Sequence, residues 1–217
     1  MIVIPYQDIL SEANSTIAND IFRAGGVVIY PTDTLYGMGG NFYDPGVFQT
    51  VDRIKNRADM PYSVVVSDLE MLTSLVADIP PVFYTLYEKL LPGKFTFLFN
   101  VSPTIAPALV KGSTKIGIRI PAAPLLLQWV KQLGQPLLST SVNRTGEPPL
   151  NDAEMIRRTF SPLRVDTAIK LLLDGGRLPA SRGSTILDLT QTPIQCLRWG
   201  DESERVLLTQ LDIQITP

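Results

Sequence analysis

Polar and cationic side chains gather where several apolar runs of this chain stop. The run VVIYPTDTLYGMGG, Val27 to Gly40, leaves a β-forming segment at Pro31 and continues through Thr32, Asp33, Thr34, Tyr36, Gly37, Gly39 and Gly40. Hydroxyls, a carboxylate and glycines behind a strand end suit close approach of backbone to a ligand. A tight turn leaving the strand is the simpler alternative. PLLSTSVNRTGEPP repeats the design, with Ser139, Thr140, Ser141, Asn143, Thr145 and Gly146 after Leu137 and Leu138, although such residues also make ordinary turns. RIKNRADMP sets Lys55 and Arg57 beside Asn56 at a helix-to-loop transition. On a continuing helix these two cations diverge by about 200°, whereas extended backbone brings both to one face as a paired clamp. A solvated helix C-terminus, its cations complementing the dipole, is the alternative. GIRIP carries Arg119 inside an apolar strand, where a charge needs a partner or a ligand. RGSTILDL brings Ser184 and Thr185 to a strand start, and CLRWG brings Arg198.

The inventory is one of fixed cations, hydroxyls and amides without an evident general base. Histidine is absent, which removes Ser-His-Asp, Cys-His and H-E-x-x-H chemistry and most zinc sites. Cys196 is the sole cysteine, so there is no disulfide within the chain and no thiolate cluster. Its setting, PIQCLRWG, reads as a strand with a packed thiol. Two familiar phosphate cradles also fail. Three residues on from Gly39 stands Phe42, not the glycine of a dinucleotide fingerprint, and Gly93-Lys94 is followed by Phe95, not the hydroxyl of a P-loop. What remains suits reactions dominated by positioning and charge neutralisation, such as phosphoryl or nucleotidyl transfer.

These groups need a scaffold, and the 217 residues are enough for one domain with ample core at 45% hydrophobic and 18% charged content. The net charge of −2 advertises no global basic field, although the 19 Lys and Arg can still cluster locally. The N-terminus lacks a basic leader region and no apolar run approaches the ~20 residues of a membrane span, so a soluble cytoplasmic protein is expected. Leu10, Ala13, Ile17, Ile21 and Ala24 form a helical stripe stopped by Gly25-Gly26. Helical spacing recurs from Val47 to Lys55 and in DLEMLTSLV, PVFYTLYEKLL, APLLLQWVKQL and DAEMIRRTF. YSVVVSD, KFTFLFNV, KIGIRIP, QPLLSTS, AIKLLLD, STILDL and IQCLRW have strand composition, and late strands without intervening helices argue for a mixed sheet. Residues 1–200 are expected to form the domain, with Asp201 to Pro217 a mostly polar tail in which Leu207, Leu208 and Leu211 could dock.

YPTDTLYGMGG, KNR…MP, LPGKFTF, GIRIP, STSVNRTGEPP, STILDL and LRWG stand in the order found in YrdC-domain proteins, the threonylcarbamoyl-AMP synthases. The chain resembles this family from Tyr30 to Gly200, in its short, single-domain form. The resemblance implies an α/β, α+β-like fold: an open, twisted mixed sheet flanked by helices, with a concave face. It also implies a nucleotidyltransferase that joins L-threonine, bicarbonate and ATP into threonylcarbamoyl-adenylate and pyrophosphate, with Mg²⁺ arriving on ATP and no dedicated metal site. Lys55, Arg57, Ser141 and Asn143 correspond to the catalytic group around the nucleotide phosphates, and Asn151 and Arg198 to further ATP contacts. Thr34, Arg119, Ser141 and Ser184 match positions that hold threonine, Arg119 taking the carboxylate in a bidentate fork. The run from Thr32 to Gly40 becomes the floor under threonine and the acyl phosphate. Implied partners are the downstream proteins that transfer threonylcarbamoyl to tRNA, with contact to tRNA or double-stranded RNA; no membrane is implicated.

Some positions depart from the family pattern. Pro92-Gly93-Lys94 stands where synthases usually have Pro-Gly-Pro, Lys115 takes a place often held by a hydroxyl, and the loop from Ala58 to Met60 is one residue short. The first feature resembles YciO-like paralogues, while Asn143 favours the synthases. An RNA-binding module using the same concave face without catalysis is the alternative of a different class, and it would need only basic charge. Lys55, read at a loop edge, is expected to contribute little to packing, so that Lys55→Ala abolishes turnover and leaves the fold intact.

Overall fold

A computed structural model of the chain describes residues 1–56, 60–160, 168–211 and 213–216. In chain order its elements are β1 (Ile2–Pro5), α1 (Glu12–Arg23), β2 (Val27–Tyr30), β3 (Gly37–Gly39) and α2 (Pro45–Lys55). Next come β4 (Ser63–Val65), α3 (Leu69–Thr73), α4 (Val82–Leu90), β5 (Phe95–Asn100), β6 (Lys115–Arg119), α5 (Pro124–Leu133) and β7 (Leu137–Ser141). The chain closes with α6 (Ala153–Thr159), β8 (Ile169–Asp174), β9 (Thr185–Asp188), β10 (Ile194–Arg198), α7 (Glu202–Thr209) and β11 (Ile215–Thr216).

The strands form one mixed sheet in the order β1-β8-β2-β3-β7-β4-β6-β5-β9-β10-β11. Parallel pairs (β1 with β8, β2 with β8, β4 with β6, β5 with β9, β10 with β11) are mixed with antiparallel ones such as β3 with β7 and β9 with β10. The mixed pairing is that anticipated from the late strands, and the open, helix-flanked form is that implied by the family resemblance. Its pleat sorts the core into two layers. Val27, Ile29, Val64, Phe97, Leu138 and Leu172 pack on the side covered by α2, α4 and α6. Val28, Tyr30, Val65, Leu137, Leu171 and Leu173 pack on the opposite side against Phe22 of α1 and Trp129 of α5. Burial on both sides is why these strands read as nearly continuous apolar runs.

Helix α1 forms where its periodicity predicts, but on a different stripe. Ala18 and Phe22 are buried, whereas Ala13, Ile17 and Ala24 are exposed. The reason is its partner helix: the Phe22 ring meets Trp129 edge-on at 6.1 Å between centroids, and Trp129 Nε1 donates to Asn19 Oδ1 at 2.9 Å. Helix α2 is delimited locally. Asp44 accepts the Gly46 N–H at 2.8 Å beside Pro45, and Asn56 closes the helix in the left-handed conformation at φ 52°. That closure makes Lys55 the last helical residue.

The glycine end of the run is not the tight turn that its composition allows. Gly37–Gly39 are a strand between β2 and β7, and a Cβ on Gly39 would collide with the Leu138 carbonyl oxygen. Glycine is required at this position so that backbone can approach the neighbouring strand, not a ligand. Beyond Gly200, Leu208 of α7 is buried in the core, Leu211 packs against it, and Leu207 is exposed. β11 pairs with β10.

Candidate functional site

A row of small residues hollows the sheet on the side away from α2 and α4. Ser63 of β4 stands in register with Ser139 of β7 and with Gly117 of β6. Alternation puts Thr96 of β5 and Arg119 of β6 on this same side. The resulting cavity measures about 330 Å³ and is lined by Thr32, Thr34, Tyr36, Gly37, Tyr62, Ser63, Arg119, Ser139, Ser141, Arg182, Gly183, Ser184 and Arg198, among others. Thus the first half of the Thr32–Gly40 run does contribute wall, while Gly39 and Gly40 are not among the lining residues.

On one flank, Lys55 points its ammonium into the end of β7. Its Nζ donates to the Ser141 carbonyl at 2.8 Å, to Asn143 Oδ1 at 2.6 Å and to Ser141 Oγ at 3.4 Å. Ser141 Oγ donates to the same Asn143 oxygen at 2.6 Å, and Asn143 Nδ2 is held by the Glu147 carbonyl at 2.6 Å. The three residues therefore converge from α2 and the strand end. Lys55 is only 2% exposed, which corrects its reading as a loop-edge cation with little part in packing. Arg57, its expected companion, lies outside the described residues.

The opposite flank carries the arginines. Arg119 donates to Asp33 Oδ1 at 2.8 Å and to Thr34 Oγ1 at 3.3 Å, and Asp33 Oδ2 accepts the Ala122 N–H at 2.8 Å. Asp33, unassigned from the sequence, thus neutralises and orients the in-strand charge. The Arg119 Nε is buried with no hydrogen-bond partner, a donor that a ligand oxygen would satisfy. Ser184, 3% exposed, shares a 2.7 Å hydrogen bond with Thr96 Oγ1 and accepts from Arg198 Nη2 at 3.2 Å. Arg198 also donates to the Ser184 carbonyl at 2.9 Å. Its placement depends on a β-bulge: the register of β10 against β9 slips between Cys196 and Arg198, so Arg198 stands opposite Ile186, which lines the cavity. Burial, followed by repulsion from nearby Arg119, holds the Arg198 guanidinium below its usual value. Two like charges facing one hollow mark a place that would favour an anion.

Arg182 is a third lining arginine that the sequence reading passed over; nothing in SRGSTILDL distinguishes it from a loop charge. Among the described residues, the lining includes no carboxylate, and of the three arginines only Arg119 has a carboxylate partner. Asn151 sits apart. It does not line the cavity, and its Nδ2 donates to the Leu178 carbonyl at 3.2 Å. Cys196 is a buried free thiol whose pKa burial pushes up, as its packed-strand reading implies. Among the described residues no helix is long and apolar enough to cross a membrane.

A model of the Sua5/YciO/YrdC family, described as telomere recombination, matches residues 20–200. A threonylcarbamoyl-AMP synthase of Pyrococcus abyssi is 28% identical over 211 residues, 95% of this chain and 61% of the relative, so the chain spans less than two thirds of that protein. The crystal structure of P. abyssi Sua5 complexed with L-threonine superposes with a TM-score of 0.84 at 26% identity, covering 100% of this chain and 63% of that one. An uncharacterised Escherichia coli (strain K12) protein, YciO, is 31% identical over 181 residues, 82% of this chain and 84% of its own length. From its ordered motifs, its sheet and the family match across most of its length, the chain belongs to the Sua5/YciO/YrdC family.

Proposed function

We propose that this protein is a threonylcarbamoyl-AMP synthase, which condenses L-threonine, bicarbonate and ATP into threonylcarbamoyl-adenylate with release of pyrophosphate. The observation that carries the reading is one hollow lined both by Ser141, which a buried Lys55 and Asn143 engage by hydrogen bonds, and by an Arg119 whose Nε lacks a partner. The unsatisfied Arg119 donor, with the hydroxyls of Thr34 and Ser184 close by, suits an amino-acid carboxylate beside a polar side chain. Lys55, with Arg57 beside it in sequence, suits the nucleotide phosphates, and Arg198 adds positive charge from the opposite flank. The chain's task is then to hold three reactants together and screen phosphate charge, which histidine-free chemistry permits.

Mg²⁺ enters this scheme on the nucleotide. Among the described residues no group of three or more His, Cys, Asp or Glu gathers to hold a metal, so phosphate oxygens and water would supply most of its coordination. Its contribution is charge neutralisation on the phosphates. The P. abyssi structure holding L-threonine supports threonine as substrate; the adenylate would pass to proteins that modify tRNA.

The competing reading is a YciO-like paralogue, favoured by Lys94 and by the 31% identity to the E. coli protein. One experiment separates them. Purified protein is incubated with Mg²⁺-ATP, bicarbonate and radiolabelled threonine, and labelled adenylate and pyrophosphate are sought in equal amounts. Both products are expected from the synthase. Their absence from a folded, nucleotide-binding protein refutes the synthase reading.

A further inference from the structure

The family match ends at Gly200, yet the next side chain reaches back into the cavity wall. Asp201 Oδ1 accepts the backbone N–H of Arg182 at 2.7 Å, while Oδ2 accepts Ser181 Oγ at 2.9 Å and Lys94 Nζ at 3.1 Å. Ser181 Oγ accepts the Gly183 N–H at 3.0 Å, so one carboxylate organises three consecutive residues. Gly200 lies against the Gly183 carbonyl too closely for any side chain, and its N–H donates to Thr185 Oγ1 at 3.0 Å. Burial pushes the Asp201 carboxyl up, but the hydrogen bonds from Arg182, Ser181 and Lys94 outweigh it, and the group stays below the ordinary carboxylate value.

The segment held in this way presents Arg182 to the cavity. Arg119 is paired with Asp33, and Arg198 is committed to Ser184. The Arg182 guanidinium, by contrast, has no carboxylate partner among the described residues. A nucleoside triphosphate carries several negative charges, and a guanidinium fork matches phosphate oxygens.

We propose that Arg182 is an additional phosphate-binding residue, and that Asp201, braced by Lys94, is the positioning residue that holds it over the cavity. This rests on the reading of the hollow as a nucleotide site. It gives the Lys94 departure a role, since the lysine brings its ammonium to the same carboxylate.

The test uses the full chain with Arg182→Ala, Arg182→Lys, Asp201→Asn and the Arg182→Ala/Asp201→Asn double variant. Binding of Mg²⁺-ATP and of L-threonine is measured by calorimetry, and folding by thermal unfolding. Arg182→Ala is expected to weaken Mg²⁺-ATP about tenfold, with threonine changed less than about twofold and Arg182→Lys recovering part of the loss. Asp201→Asn should weaken Mg²⁺-ATP about threefold in the wild type and add nothing once Arg182 is gone. Unchanged Mg²⁺-ATP affinity in Arg182→Ala overturns the proposal. So does an Asp201→Asn effect that persists undiminished without Arg182, or an equal loss of threonine binding, because either means a collapsed wall. A wild type that binds Mg²⁺-ATP but makes no adenylate refutes the synthase reading without touching this result; a wild type that binds no Mg²⁺-ATP overturns both.

Discussion

Lys55 shows how far a side chain's surroundings can differ from its sequence setting. RIKNR reads as the solvated end of a helix, but the left-handed Asn56 stops α2 at a point where the 141–145 segment covers the lysine, and the Thr145 N–H donates to the Lys55 carbonyl at 3.0 Å. Removing the ammonium takes a charged donor from the Ser141 carbonyl and from Asn143 Oδ1, leaving them the Asn143 N–H and the Ser141 hydroxyl. Lys55→Ala should therefore cost about 2–3 kcal/mol of stability besides ending adenylate formation; chemical denaturation reads the first effect. A mutant as stable as the wild type would mean these hydrogen bonds contribute nothing in solution. Arg119 differs in kind, because its charge already has Asp33 and what it can offer a ligand is geometry. Arg119→Lys keeps the charge and loses the fork, so L-threonine affinity should fall at least about tenfold while Mg²⁺-ATP affinity holds. Titration calorimetry with each ligand decides it, and a parallel loss of both would refute this division of roles.

Among the elements, β3 is the one whose composition most misleads. A run of glycines after a strand looks like a ligand loop, yet Gly39 is there because β3 and β7 lie too close for a methyl group. Gly39→Ala is expected to destabilise the protein by about 3 kcal/mol, visible as a lowered urea midpoint; a midpoint equal to wild type would show that β7 can shift away at no cost. Strand β9 ends in another constrained group. Burial pushes the Asp188 carboxyl up, but Lys115, with Nζ at 2.7 Å from Oδ2, and Thr190 outweigh it and hold the value low. A depressed folded value means stability present above the unfolded pKa of about 4 and lost as pH falls through the folded value. Asp188→Asn should thus flatten the acid limb of the stability curve below about pH 4. An unaltered acid limb would assign that loss to other carboxylates. Lys115, notable in sequence as a departure, serves in this pair.

Across the fold, the sheet's two faces are used unequally. On one side α1 and α5 cover the first strands and leave the Ser139–Ser63–Gly117 row open; on the other, helices and core run along the sheet. The wall of the open side is completed from the chain's far end, where α7 brings Leu208 into the core and Asp201 to the 181–183 segment. Deleting residues 201–217 should lower the thermal midpoint and weaken Mg²⁺-ATP binding together. Differential scanning fluorimetry with and without nucleotide measures both, and a deletion variant with wild-type values would show that this end is dispensable.

Periodicity and turn chemistry announced most of the helices and strands, the mixed character of the sheet and the strand ends where polar groups collect, because each depends on neighbours a few residues away. The small hydroxyls of Ser139–Ser141, the in-strand Arg119 and the Lys55 segment were legible for the same reason: each breaks a local pattern. Pairings between distant segments were not legible. Trp129 chose which stripe of α1 is buried, a register slip opposite Ile186 aimed Arg198, and Asp33 met Arg119 across 86 positions of sequence. Asn151 turned to Leu178 instead of the cavity for a similar reason, its backbone being tied there by the Leu178 N–H at 2.7 Å. Register, bulges and ion pairs are set by which strands lie side by side, and that order exists only once the chain has folded.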